Sequence, residues 1–349
     1  MIERSNVRTD LALEEKERFE SDNVEVKGVI LEETYDEEKE IRVTKVVIET
    51  EKGAKTMGKP VGTYLTLEAA EMSLPDEDYH RKISEEIAVL LGELIEKNCM
   101  RSNERKQDSL ASSDKKKWNS KMMQNKRNQD LSVLIVGLGN RHVTPDALGP
   151  FVVDNLCVTR HIIKEYGKYA MDLKTANLVS AIIPGVMGQT GMETLEIVRG
   201  VVEETHPDLV VAIDALAARN SKRLNRTIQI ADTGIRPGSG VGNHRHGLTK
   251  ESLGIPVIAI GVPTVVDAVT IVNDTMESLV DALETSRALK GIGSILRAYN
   301  ETEKYDLIRE LISPHLNGLY VTPKDVDETI KQISYTISES LNMLLANRI

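Results

Sequence analysis

The sequence predicts an α/β protein: a three-layer α/β/α arrangement around a mainly parallel sheet, preceded by an antiparallel β meander. Three observations carry that expectation. Short continuous apolar runs, such as Val133–Val136 and Leu209–Ile213, suit strands buried on both faces of a sheet. From residue 131 onward such runs alternate with helix-period stretches, the order that builds a parallel sheet covered by helices. Ahead of them, three segments alternate apolar and polar side chains with a period of two, separated by charged turns.

Residues 1–23 are polar apart from Leu11-Ala12-Leu13 and read as an N-terminal arm, with a frayed end as the simplest expectation. Over 24–66 the segments VEVKGVILEE, IRVTKVVIET and GTYLTLE form the meander, with DEEKE and EKGAK as turns. A helix over 76–98 follows, because Ile83, Ile87, Leu90 and Leu94 fall on one stripe. Residues 101–130 are lysine-rich and nearly free of apolar side chains, and read as a solvated excursion; Trp118 alone offers no stacking series for nucleic acid. Strands are expected at 132–137, 178–183, 209–213, 227–230 and 256–260, and helices at 147–165, 187–204, 264–286 and 324–346, with 288–322 irregular. The organisation is therefore an arm (1–23), a meander-plus-helix region (24–130) and an α/β core (131–349), the last two compatible with one compact domain.

Composition narrows the function classes. A formal net charge of −10 argues against binding nucleic acid by phosphate neutralisation. Aromatic residues make up 3% of the chain, so the core must be aliphatic. Cys99 and Cys157 lie in unrelated segments and are expected as reduced thiols. No apolar run approaches the roughly 20 residues that cross a bilayer, and the N-terminus has no secretory signal. The expectation is a cytoplasmic protein with no membrane partner.

The chemistry centres on Leu131–Pro150. A buried strand ends at Gly137-Leu138-Gly139, and Asp146 follows behind Pro145. Asp214 stands in the same setting, ending the run Leu209–Ile213. Open α/β sheets bind ligands beyond the carboxyl ends of their strands. Two carboxylates brought together there share a proton, so that one can activate water while the other protonates a leaving amine. On helix grammar alone, each Asp also reads as an N-cap.

Other motifs are weaker. Gly137-x-Gly139 lacks the third glycine of a dinucleotide fingerprint, position 142 being His. Asp232-Thr233-Gly234 is the triplet of pepsin-like proteases, but it occurs once and in an α/β half; Asp232 stays a candidate cleft residue. His244 and His246 flank Arg245 in a glycine-rich loop without a third histidine or a cysteine cluster, so a positively charged surface loop is the simplest reading. Thr264 and Asp267 have capping-box spacing. No G-x-S-x-G is present.

Taken together, VGLGN (136–140) with VTPDALGP (143–150), VSAIIPGVMGQTGMET (179–194), VAIDALAAR (211–219), IRPGSGVGN (235–243) and LGIPVIAIGVPTVVDAVT (253–270) resemble the germination protease of spore-forming bacteria. VRTDLALE (7–14) and VTPKDVD (321–327) fit the same pattern. The resemblance implies a homotetrameric endopeptidase of the spore core, made as a self-processing zymogen that degrades small acid-soluble spore proteins at germination. It implies a fold related to the hydrogenase-maturation peptidases, an atypical aspartic-type pair at Asp146 and Asp214, and a prosegment 1–10 released at Asp10-Leu11. Asn140, His142, Asp232 and His244 are candidate cleft-lining residues, and neither a cofactor nor a metal is expected. One alternative is a metallopeptidase with Asp146, Asp214 and His142 or His244 as ligands. Another is a non-enzymatic nucleotide or phosphate sensor built on Gly137 and Gly139.

Overall fold

The computed structural model describes residues 11–14, 27–108, 130–167, 177–238, 245–285, 310 and 318–346. The meander is present as β1 (Val29–Asp36), β2 (Ile41–Ile48) and β3 (Gly62–Ala69), paired antiparallel with Val29 opposite Ile48 and Ile41 opposite Ala69. The parallel part comprises β4 (Ser132–Gly137), β5 (Leu178–Ile182), β6 (Leu209–Ala218) and β8 (Val257–Asp267). Between the two halves lies β7 (Thr227–Ala231), antiparallel to both β3 and β8. The result is one mixed sheet of nine strands, in the order β1-β2-β3-β7-β8-β6-β4-β5, with β9 (Tyr320–Val321) on the end of β8. Residues 219–226 between β6 and β7 hold only a 3₁₀ turn, Ser221–Arg223, and the dozen residues or more of a parallel crossover do not fit there.

Alternation along the central strands makes the three layers. Val133, Ile135, Val211, Ile213, Ile258 and Ile260 pack on one side. They meet Ile83, Ile87 and Leu91 of a helix spanning Glu77–Asp108, and Ile333, Ile337 and Leu341 of a helix spanning Val326–Leu345. Leu134, Val136, Val210 and Ala212 point the other way, onto Leu195, Val198 and Val202 of the helix Thr194–Thr205. Each such side chain, fully buried, contributes about 1.5–3 kcal/mol relative to leaving it in water.

Several boundaries differ from the sequence expectation. The turn-like EKGAK is a short helix, α1 (Glu51–Met57), whose Gly53 amide donates to the Thr50 hydroxyl at 3.1 Å and whose Met57 is buried. The helix expected to end at 98 runs on to Asp108; it is α2, and residues 109–129 of the lysine-rich stretch lie outside the described residues, as does most of 288–322. The helix expected over 147–165 is two, α3 (Leu148–Asp154) and α4 (Arg160–Tyr166). The break is compensated from the C-terminal helix, where the Asn342 amide accepts from the Cys157 N–H at 2.8 Å and donates to the Asn155 carbonyl at 3.1 Å. That over 187–204 is also two, α5 (Met187–Thr190) and α6 (Thr194–Thr205), separated at Gly191, which takes φ 71°. The short helix Lys250–Leu253 is α7; Ala268–Thr285 is α8 and Val326–Leu345 is α9. Thr264 therefore caps no helix. It lies within β8, and its hydroxyl donates to the Pro145 carbonyl at 2.6 Å.

Residues 11–14 are not frayed. Leu11, Ala12 and Leu13 are buried, and the Ala12 N–H donates to Gln229 Oε1 at 2.7 Å. The Glu14 carboxylate, also buried, accepts from the Arg219 and Asn220 amides and lies 3.6 Å from Arg223.

Candidate active site

The site lies just past the carboxyl end of β4 and along the carboxyl-terminal half of β6. The Leu138 N–H donates to the Ile213 carbonyl at 2.8 Å, which brings the end of one strand against the other. The chain then turns at Gly139, where φ is +109° and an added Cβ would stand 1.9 Å from the Asp146 carbonyl oxygen. Only glycine allows the loop to fold back so closely. Asp146 occupies a 3₁₀ turn, Thr144–Asp146, and Oδ2 of its carboxylate accepts the Asn140 N–H at 2.8 Å. Asp146 is no helix cap: the N-cap of α3 is Ala147, with no side-chain cap bond. Asp214 lies within β6 rather than at the start of a helix, opposite Gly261 of β8, and it is buried. Both N-cap readings therefore fall.

Asp146 and Asp214 line one cavity of about 420 Å³, together with Leu138, Pro145, Leu216 and Arg245. Burial pushes the Asp146 carboxyl above its ordinary range; the Asn140 N–H and the positive charge of Arg245 pull the other way. Two carboxyls in one partly apolar cavity beside a cation can bind a polypeptide, polarise a water and exchange a proton.

The germination protease family model matches residues 6–106 and 99–287. The germination protease of Caldanaerobacter subterraneus is 45% identical over 342 residues, covering 97% of this chain and 94% of the relative. That of Clostridium perfringens is 44% identical, covering 97% and 95%, and that of Bacillus mycoides is 39% identical, covering 100% and 96%. The chain belongs to the germination protease family. It is thus a peptidase involved in germination, and the resemblance read from the motifs holds along nearly the whole chain.

In this member of the family the remaining candidates are spread unevenly around the acids. Asn140 is close: besides binding Asp146 through its amide, it accepts from the His142 N–H at 3.1 Å and from Gln189 Nε2 at 2.9 Å. It thereby ties the Asp146 loop to α5. His142 is exposed and does not line the cavity. Asp232 does not line it either. Its buried carboxylate accepts the Thr63 N–H at 2.7 Å and faces Lys97 Nζ at 3.1 Å, which joins β7 to β3 and α2. Leu11 is packed away from the cavity, while Asp10 and His244 lie outside the described residues. Sequence reading missed Arg245 as a wall of the cavity, along with Tyr320 and Thr322 from the β9 segment. The only sequence signal for Arg245 was its place between two histidines, which suggested solvent. Among the described residues, no three His, Cys, Asp or Glu side chains converge, and no helix is long and apolar enough to cross a membrane.

Proposed function

We propose that this chain is an endopeptidase, made as a self-processing zymogen, that degrades small acid-soluble spore proteins in the spore core. Asp146 and Asp214 act as an atypical aspartic-type pair. The observation that carries this reading is that both carboxylates line one cavity at the carboxyl edge of the sheet. One ionised member takes a proton from water as that water attacks the peptide carbonyl, and the protonated member gives its proton to the departing amine. Incubating the purified enzyme with a small acid-soluble spore protein and identifying the products by mass spectrometry tests the substrate. A homotetramer is the proposed assembly, which sedimentation measures directly.

The reading assigns no role to a metal. Enzyme stripped with a strong chelator is expected to keep its full rate of substrate cleavage. Loss of activity that zinc or another divalent ion restores would transfer the reaction to a metallopeptidase mechanism at Asp146 and Asp214.

The prosegment is residues 1–10, with release at Asp10-Leu11. Because Leu11 is fully buried and Glu14 is anchored on the chain after β6, attack on that bond requires this segment to lift from its seat. Arg4 and Arg8 supply the arm with cations for carboxylate partners. A carboxylate paired with Arg has a lowered pKa, so the pairing is present at neutral pH and is lost as pH falls through that value. Processing is therefore expected to quicken on acidification. Deleting residues 1–10 should yield enzyme active at neutral pH without acid treatment, measured as substrate cleavage; a truncated protein that assembles but stays inert would show that the arm is not the restraint.

A further inference from the structure

The cavity carries a third charged side chain that the acid-pair reading leaves unused. Arg245 lies half-buried, and the segment that follows it is held at two points. Behind it, Leu248 exchanges backbone hydrogen bonds with Ile235, at 2.8 and 3.0 Å. Beside it, His246 Nδ1 meets Glu193 Oε2 at 2.6 Å, and Glu193 is in turn bound into the start of α6 by a reciprocal capping box with Glu196. Arg245 is thus a positioned cation on the same wall system as Asp146 and Asp214.

We infer that Arg245 is a positioning residue of the peptidase site, acting through Asp146: its guanidinium holds the acid pair at a single shared proton, leaving one carboxylate to take a proton from water. This rests on the acid-pair reading above. Asp146 in this partly apolar cavity resists ionisation, since burial favours its protonated form. A fixed positive charge on the same cavity wall offsets that effect. Among the described residues, the other titratable groups leave this task to Arg245. Asp214 from β6 and the Tyr320 phenol from β9 share the cavity but supply no positive charge. Arg141, on the loop of Asp146, is taken up by Asp154 of α3 at 2.6 and 2.9 Å. His142 is exposed, and His246 and Glu193 face each other.

Removing the cation raises both proton-binding steps of the pair, which titrate as a unit. In full-length Arg245→Gln, both limbs of the pH profile of kcat/KM are expected to move up by about one pH unit, the low end of the effect of a neighbouring Arg on a carboxylate. Arg245→Lys, which keeps the charge, should restore most of the wild-type profile. A carbon-13 NMR titration of the Asp146 carboxyl should move in the same direction without reference to turnover, and thermal melting confirms that each variant is folded. An unmoved profile and titration in folded Arg245→Gln would overturn the inference while leaving the acid pair standing. A rise in KM alone, with the pH limbs in place, would make Arg245 a substrate contact and overturn it equally. If Asp146→Asn and Asp214→Asn retain turnover, the acid-pair reading fails and this inference fails with it.

Discussion

Asp146→Asn and Asp214→Asn are each expected to lower kcat on a spore-protein substrate by about 10²-fold or more, the contribution of a general acid–base group. Asn keeps the size of Asp and its carbonyl can still accept the Asn140 N–H that Asp146 accepts at 2.8 Å, but the amide can neither take nor give the proton. Loss of rate should thus come without loss of fold. For Asp146 the expected stability effect has the opposite sign. Its folded pKa is raised by burial, so the folded protein favours the protonated carboxyl. That contribution is fully present below the unfolded-state pKa and is lost as pH rises through the folded one. Above that folded-state value the buried carboxylate counts against the fold, and there Asp146→Asn should melt at the same temperature as wild type or higher. Near-normal turnover in either variant would remove the acid pair from the mechanism.

Gly149→Ala is expected to be strongly damaging although it adds a single methyl group at the site. A Cβ on Gly149 would lie 2.4 Å from the Leu138 carbonyl oxygen, 2.5 Å from the Leu138 nitrogen and 2.6 Å from the Ile213 carbonyl oxygen. All three are backbone atoms joined in the contact between β4 and β6, so no rotamer can relieve the overlap. The cost should be about 3 kcal/mol or more, at the upper end of overpacking penalties, and lower Tm by roughly 4 °C or more. Because Leu138 and Ile213 adjoin the Asp146 loop and Asp214, activity should fall beyond the loss of folded protein. Gly200→Ala is the control. Gly200 lies exposed in α6 with nothing within 4 Å of an added Cβ, and there Ala should stabilise by about 0.5–1 kcal/mol. Equal melting temperatures for Gly149→Ala and wild type would show that the strand ends yield where the packing says they cannot.

Much of the fold was legible because it is encoded locally. Apolar runs located all the central strands, and the stripe from Ile83 to Leu94 located α2. Errors gathered where local grammar competes with tertiary contacts. Residues 264–267 have the spacing of a capping box, yet they extend β8, because beyond the bulge at Leu216/Ala217 β6 pairs with Val265 and Val266 and β9 pairs with Val266 and Asp267. Likewise 155–159 interrupt an otherwise helical pattern, with Asn342 supplying partners from the far end of the chain. EKGAK looked like a turn because seven residues are too short for a helical stripe to show.

The candidate site divides the same way. Periodicity and spacing alone placed Asp146 just past a buried strand, and the motif blocks alone pointed to the germination protease family; Asp214, expected to end a strand over 209–213, lies inside β6, which runs on to Ala218. Whether the two carboxyls line one cavity depended on β4 and β6 being neighbours in register, Gly137 against Ile213, a pairing between segments far apart in the chain. The same long-range geometry turned β7 antiparallel, gave Asp232 to Lys97 and Thr63 instead of the cavity, and brought Arg245 beside Asp146. A side chain's type and its place in a local repeat are properties of the sequence. Its electrostatic partners belong to the packing, because Coulomb interaction and burial depend on distance in space.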